Sequence, residues 1–198
     1  MEYTKTNHIL RLFFDSAPNI DIWKHYYGNE NIPEYHTKSE VFSQTKEGNY
    51  HVTACFFNGF EEVVVNINED EQTDTRLLIS ISGFNGTKTP SSTVYSKQGN
   101  CVIYRTCATK SIPILSSESS LEGIFLYSNI ENSNNKNILE DSTVFDCGDT
   151  EKGKSICYLE KGNLSFSRNN ITNNKCNEDV SLHIVSSKKY NISQTSFI

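Results

Sequence analysis

Hydrophobic and polar residues alternate along most of the chain from about residue 51 onward, in short segments of one type. Each segment alternates apolar with small polar residues and then places an aromatic or β-branched residue beside Asn or Asp. The clearest examples are HVTACFFNGF at 51–60, RLLISISGFNG at 76–86, STVFDCG at 142–148, NLSFSRNNITNN at 163–174 and YNISQTSFI at 190–198. A period of two predicts β-strands. The recurrence of one supersecondary unit predicts stacked coils rather than a single closed core.

The spacing of these segments supports a repeat. A more apolar strand precedes each of them, as in SSTVYSKQ at 91–98 and SICYLEK at 155–161. We take five positions as equivalent: Phe57, Phe84, Phe145, Ile171 and Phe197. Their intervals are 27 (84 − 57), 61 (145 − 84), 26 (171 − 145) and 26 (197 − 171) residues. The long interval has room for two longer coils, with Cys107 as the intermediate position.

This pattern predicts an all-β protein, a right-handed parallel β-helix at residues 50–198 with residues 1–49 as an irregular N-terminal cap or partial coil. An antiparallel sandwich is the alternative, although only Asn58-Gly59 and Asn85-Gly86 offer its typical hairpin turn. The last segment ends on the apolar pair Phe197-Ile198. Because solenoids avoid an uncapped apolar end, we expect the array to be truncated there.

Coils that stack in parallel place like residues above one another. We expect one inward column of Val63, Val94, Phe125, Cys157 and Leu182, and further columns of Ile81, Val144 and the Phe positions. Side-chain amides at the strand ends are expected to bond from coil to coil, at Asn58, Asn85, Asn170 and Asn173.

Charge and cysteine content narrow the class of protein. The net charge of −6 argues against a nucleic-acid partner, which needs a basic face. The six cysteines show no CxxC and no zinc-site spacing, so we expect no metal or other cofactor. Buried thiols are the favoured interpretation, with one or more disulfides as the alternative.

Signals of cellular location are mixed. Four N-x-S/T sequons, candidates for N-glycosylation, occur at Asn85, Asn163, Asn170 and Asn191. Together with the cysteines they favour a secreted or surface protein. The first residues lack the pattern of a signal peptide, and no stretch approaches the ~20 apolar residues of a membrane span. The chain is therefore either cytosolic or one piece of a longer protein.

Four segments carry a resemblance to a known family: GNCVIYRTCA at 99–108, IFLYSN at 124–129, VFDCG at 144–148 and ICYLEKGNLSFSRNNITNNKC at 156–176. Over about residues 48–198 the chain resembles the large β-helix surface proteins of trichomonad protozoa, which are pectin-lyase-like repeat proteins, some similar to polymorphic outer-membrane proteins. The resemblance implies a right-handed β-helix, surface exposure and adhesion. The Gly-Gly-Ala-Ile-like strand start of that family is replaced here by Glu61-Glu62-Val63-Val64, and no membrane anchor follows.

The enzyme alternative is a polysaccharide lyase or glycoside hydrolase, because pectin-lyase-like β-helices often host them. Such enzymes need converging carboxylates, with Arg or Lys as a base in the lyases. The candidates here are Glu140, Asp141 and Asp146, with Arg105 on the preceding coil. Since adjacent residues on a strand point to opposite faces, Glu140 and Asp141 are expected to diverge.

A non-catalytic role is the favoured expectation. We expect a binding or structural module that meets a protein or carbohydrate ligand, through its loops and one exposed sheet. Four tyrosines are candidates for an aromatic stripe that stacks on carbohydrate, and alternation is expected to turn some of them inward: Tyr95, Tyr104, Tyr127 and Tyr158.

Overall fold

The protein is a parallel β-solenoid of about five turns. The computed structural model describes residues 21–29, 32–68, 74–114, 122–177, 180–185 and 189–197. One short helix, α1 (Ile22–Tyr27), precedes the strands in this part of the chain. The strands are β1 (Glu34–His36), β2 (Phe42–Gln44), β3 (Asn49–Thr53), β4 (Phe56–Asn58), β5 (Val65–Asn68), β6 (Arg76–Ser80), β7 (Gly83–Asn85), β8 (Lys88–Thr89), β9 (Val94–Lys97), β10 (Asn100–Tyr104), β11 (Cys107–Thr109), β12 (Ile112–Pro113), β13 (Leu126–Ile130), β14 (Lys136–Glu140), β15 (Thr143–Phe145), β16 (Ser155–Lys161), β17 (Asn163–Ser167), β18 (Asn170–Thr172), β19 (Val180–Val185), β20 (Lys189–Ser193) and β21 (Ser196–Phe197).

Three parallel sheets form the walls of the solenoid, and each complete coil contributes one strand to each wall. Sheet 1 has the order β1-β3-β6-β10-β14-β17-β20, sheet 2 the order β2-β5-β9-β13-β16-β19, and sheet 3 the order β4-β7-β11-β15-β18-β21. Strands β8 and β12 form a minor parallel pair between sheets 3 and 2 along the chain. The predicted parallel β-helix is confirmed, and the antiparallel sandwich is wrong. Strands β1 and β2 pair with β3 and β5, so residues 34–44 already take part in the sheets.

The coil lengths explain the predicted period. Side-chain hydrogen bonds between successive coils join residues 27, 24, 36, 27 and 26 positions apart. The intervals of 26 and 27 residues therefore each correspond to one coil. The long interval does contain two coils, but the first of them is shorter than the others and the second is longer.

The inner columns differ from the expected ones by one or two residues. In sheet 3 the column is Phe57, Phe84, Ala108, Val144, Ile171 and Phe197. Val144 is fully buried, and Phe145 is 43% exposed. In sheet 2, Val65 and Leu126 hold the inward positions expected for Val63 and Phe125. Since side chains alternate along a strand, an error of one residue moves a side chain to the opposite face.

The corner between sheets 1 and 3 explains the shift from Phe145 to Val144 in sheet 3. The first residue of this corner has a positive φ of 49° to 55° in six successive coils, at Ala54, Ile81, Arg105, Asp141, Arg168 and Gln194. This left-handed residue interrupts the strand alternation. Ile81 is therefore a corner residue and not part of an inner column.

Polar side chains satisfy the turning backbone at the corners. The side chain of Asn169 donates to Leu139 O (2.8 Å) and accepts from the Ser142 N–H (3.0 Å). Asn85 donates to Asn58 Oδ1 at 2.7 Å, and Asn173 donates to the carboxylate of Asp146 at 3.2 Å. The expected amide ladder is thus present at Asn58, Asn85 and Asn173. Such bonds matter because an unpaired buried polar group costs about 1–3 kcal/mol.

Helix α1 covers part of the outer face of sheet 1. Asp21 caps its start by accepting from the Lys24 N–H at 3.1 Å. Trp23 and Tyr26 are buried against Leu78 and Val102, which point outward from β6 and β10. The burial of these apolar side chains holds a helix of only six residues, which would be unstable alone.

Candidate functional site

The structure brings together two of the three candidate carboxylates. Glu140 ends β14, and Asp141 is the left-handed corner residue with φ of 50°. The corner turns Asp141 back toward Glu140, so the expected divergence is wrong. Arg168 on the next coil contacts both: its Nε and Nη2 donate to the Asp141 carboxylate at 2.7 and 3.1 Å, and its Nη2 lies 3.5 Å from Glu140 Oε2.

Glu140 has further partners that occupy both of its oxygens. Its Oε1 accepts from Ser165 Oγ (2.9 Å) and Ser167 Oγ (3.1 Å), and its Oε2 accepts from the Tyr26 hydroxyl (3.0 Å). Burial raises the pKa of Tyr26 far above its usual value, and the negative charge of Glu140 raises it further. The neutral Tyr26 hydroxyl therefore remains a donor, and Glu140 ties helix α1 to sheet 1.

The other two enzyme candidates, Arg105 and Asp146, have contacts of their own. Arg105 stacks its guanidinium on its neighbour Tyr104, 5.0 Å from the ring centroid. Asp146 follows β15 at a different corner, where Asn173 donates to it. Among the described residues, no group of three His, Cys, Asp or Glu side chains could hold a metal ion. The arrangement at Glu140 and Asp141 is an ion-pair network that stabilises the fold.

All six cysteines are free thiols, and five of them are buried. Burial raises the pKa of Cys55 and Cys101 to about 11 and that of Cys147 to about 12. It also raises the pKa of the partly buried Cys107. A thiol with a raised pKa is a poor nucleophile near neutral pH, and Cys55, Cys101 and Cys147 pack as small residues in the core.

Three of the four candidate tyrosines form a continuous stack on the outer face of sheet 2. We call Tyr95, Tyr127 and Tyr158 the tyrosine ladder; they are register partners on β9, β13 and β16. The ring centroids of Tyr95 and Tyr127 are 4.9 Å apart with planes 9° from parallel, and those of Tyr127 and Tyr158 are 5.1 Å apart and 1° from parallel. The spacing equals that of the strands, which holds the rings face to face.

The two ends of the ladder differ. Tyr158 is 6% exposed; it meets the edge of the His183 ring at 5.2 Å and donates its hydroxyl to Glu160 at 3.2 Å. Tyr95 and Tyr127 are partly exposed. Burial raises the pKa of both, so their hydroxyls stay protonated donors near neutral pH. Since inner ring faces cover one another, the ladder presents ring edges, hydroxyls and the outer face of Tyr95.

The sequence pattern grouped Tyr104 with these tyrosines and did not reveal the partners of Glu140. Tyr104 is on sheet 1, where its ring meets that of Tyr26 at 5.7 Å. Tyr26 and Arg168 were not recognised as partners of Glu140. The one-coil separation of 27 residues between Asp141 and Arg168 was a signal that could have linked that pair.

The sequons occupy different environments. The side chain of Asn85 is engaged in the amide ladder, where it also accepts from Thr109 Oγ1 at 2.8 Å. Asn163, Asn170 and Asn191 are exposed. Glycosylation at the four positions stays a prediction, and the three exposed asparagines are the better acceptors.

Comparisons with known proteins add no relative. A scan against protein-family models finds no match. Searches of curated proteins and of solved structures also find no match. In the part of the chain that the structure describes, no helix has both the length and the apolar character needed to cross a membrane.

Proposed function

We propose that this β-solenoid is a non-catalytic binding module of the surface or adhesion type, and that the outer face of sheet 2 is its contact surface. The observation that carries the proposal is the tyrosine ladder. Tyrosine supplies a large contact area at low conformational cost and keeps a polar hydroxyl at its tip, which is why it is enriched at recognition surfaces. The partner is a protein or carbohydrate ligand at a cell surface.

Two further points support this assignment: the sequence resemblance and the contacts of the candidate carboxylates. Membership of the trichomonad pectin-lyase-like surface repeat proteins remains our proposal, and it rests on the sequence resemblance together with the parallel solenoid. The enzyme alternative is weakened by Arg168, which pairs with both Glu140 and Asp141. The pairing with Arg168 offsets the negative charge that would attract a cation to Glu140 and Asp141.

Adhesion of the purified chain tests the proposal. We would measure its binding to epithelial monolayers and immobilised matrix proteins, and compare a variant that carries both Tyr95→Ser and Tyr127→Ser. Phe145→Ser is the matched control, because Phe145 is an exposed aromatic on sheet 3. We expect the double variant to lose binding and the control to keep it. Equal binding by all three proteins would contradict the proposal.

A second measurement addresses catalysis. The chain is incubated with pectin and polygalacturonate, and unsaturated products and new reducing ends are measured. We expect no turnover. Product formation that Glu140→Gln abolishes would establish the polysaccharide lyase or hydrolase alternative.

A further inference from the structure

The outward column of sheet 2 changes its chemistry between β5 and β9. In the register of sheet 2, the position of Tyr95 corresponds to Asn66 on β5 and to Ser43 on β2. Three aromatic rings are thus followed by an amide and a hydroxyl. We call this change from Tyr95 to Asn66 the ladder step.

The ladder step leaves one ring face of Tyr95 without an aromatic neighbour among the described residues. Tyr127 covers the side of Tyr95 toward β13, at 4.9 Å. On the side toward β5, no aromatic ring among the described residues contacts Tyr95. Strands are ~4.8 Å apart, and an Asn side chain is shorter than a Tyr side chain. A flat ring placed over Asn66 would therefore lie one strand spacing from the Tyr95 ring, against the outer part of that ring.

Polar groups form the floor of this space. Asn66 Nδ2 donates to Ser43 Oγ at 3.4 Å, and Ser43 is exposed. The amide of Asn66 has a second N–H hydrogen and a carbonyl oxygen, and Ser43 has a hydroxyl hydrogen to donate. Asn68, two residues further along β5, is also exposed and points to the same face.

We propose that the ladder step is a binding subsite for a pyranose ring of a carbohydrate. The apolar C–H face of the sugar stacks on Tyr95, and its hydroxyls bond with Asn66, Ser43 and the Tyr95 hydroxyl. An aromatic side chain of a protein partner would use the ring face but would leave the polar floor unsatisfied, which favours the sugar. The assignment rests on the proposed function, because it names the ligand class of the same surface.

Two variants of the full-length chain test the subsite on an array of immobilised pyranose-terminated oligosaccharides. Asn66→Tyr fills the ladder step with a fourth ring in register, and Tyr95→Ala removes the stacking face. We expect each to weaken glycan binding by about tenfold or more. Because a fourth ring adds stacking contacts, Asn66→Tyr should keep or raise the melting temperature, which separates blocked binding from unfolding. His183→Ala, at the opposite end of the ladder, is the control and should leave binding unchanged.

The outcomes separate the two proposals. Glycan binding that Asn66→Tyr leaves intact would overturn the subsite, and so would a wild-type chain that binds no glycan on the array. If adhesion to cells or matrix proteins still depends on Tyr95 and Tyr127 in either case, the binding function stands with a protein as the partner. If neither glycan binding nor adhesion depends on Tyr95 and Tyr127, both proposals are overturned.

Discussion

The outer faces of sheet 1 and sheet 2 belong to the same coils, yet they are used differently. Sheet 1 turns the apolar side chains of Leu78 and Val102 outward, and helix α1 covers them. Sheet 2 turns out tyrosines, which no helix in the described part of the chain covers. An apolar outer strip must be buried because water contact with it is unfavourable, whereas a tyrosine keeps its hydroxyl in water. The comparison shows that the sheet 1 face is covered by packing, and it agrees with our proposal that the sheet 2 face binds a partner.

The largest expected effect comes from removing the contact that covers sheet 1. Trp23 is 4% exposed and its ring packs on that of Tyr27 at 4.6 Å. We expect Trp23→Ala to lower the free energy of unfolding by about 3–5 kcal/mol, the range for large buried aromatics. The comparison variant is Tyr127→Ala on sheet 2, expected to cost roughly 1–2 kcal/mol because its side chain is partly exposed. Urea denaturation measures both. Equal losses would mean that the two faces do not differ as described.

The second prediction concerns pH and the buried His51, which lies beneath helix α1. Burial lowers the pKa of His51 to about 4, while nearby Asp21 partly opposes this shift. Its Nε2 lies 2.8 Å from Ser80 Oγ, and its Nδ1 has no hydrogen-bond partner in the described part of the chain. The folded protein therefore keeps His51 neutral between pH 6.5 and about 4, where the unfolded chain binds a proton.

Stability should consequently fall as the pH is lowered below 6.5, by up to about 1.4 kcal/mol per pH unit. The stabilising contribution is fully present above pH 6.5. His51→Asn removes this titration, so the wild type should lose more free energy of unfolding than the variant between pH 7 and pH 5. Parallel pH profiles of the two proteins would show that His51 is not held neutral.

The smallest expected effect comes from single hydroxyl groups. Tyr26→Phe removes the hydroxyl that donates to the Glu140 carboxylate. A hydrogen bond to a charged group contributes about 1.5–3 kcal/mol to the free energy of unfolding. We expect a loss near the lower end of this range, because Glu140 retains three other partners. Tyr95→Phe removes a hydroxyl that bonds to no other described residue and should change stability by less than about 0.5 kcal/mol. Thermal unfolding of the two variants measures the difference. A larger loss of stability for Tyr95→Phe than for Tyr26→Phe would contradict the structural role given to sheet 1.

The coil period was readable from the sequence because equivalent strands look alike. In SSTVYSKQ and SICYLEK a tyrosine directly follows the expected inward residue, Val94 or Cys157, and Tyr95 and Tyr158 do lie in one outward column. Tyr127 belongs to the same column, but the expectation of Phe125 as the inward residue had placed it one residue out of register. The period of 26–27 residues likewise identified the repeat. Like residues stack on like in a parallel solenoid, so this information is local and repeated.

The sequence was a poorer guide to which face of the sheet each side chain points to. Alternation is continuous within a strand, but each corner inserts a residue of positive φ, such as Asp141. Counting across the corner gives the wrong face, which is why Phe145 was expected inside as well as Val144, and why Glu140 and Asp141 were expected to diverge. The contact between Tyr26 and Glu140 spans 114 residues and depends on how a short helix packs, so no local pattern encodes it.

Hydroxyl-radical footprinting with mass spectrometry tests the central claim most directly, because it reports which tyrosine rings meet solvent and which meet a ligand. In the free protein we expect oxidation at Tyr95 and Tyr127, and protection of the buried Tyr26 and Tyr50. When the protein is bound to the matrix or glycan that retains it, Tyr95 and Tyr127 should become protected while Phe145 stays reactive. Protection of Tyr95 and Tyr127 in the free protein, or their continued oxidation in the bound state, would contradict the account.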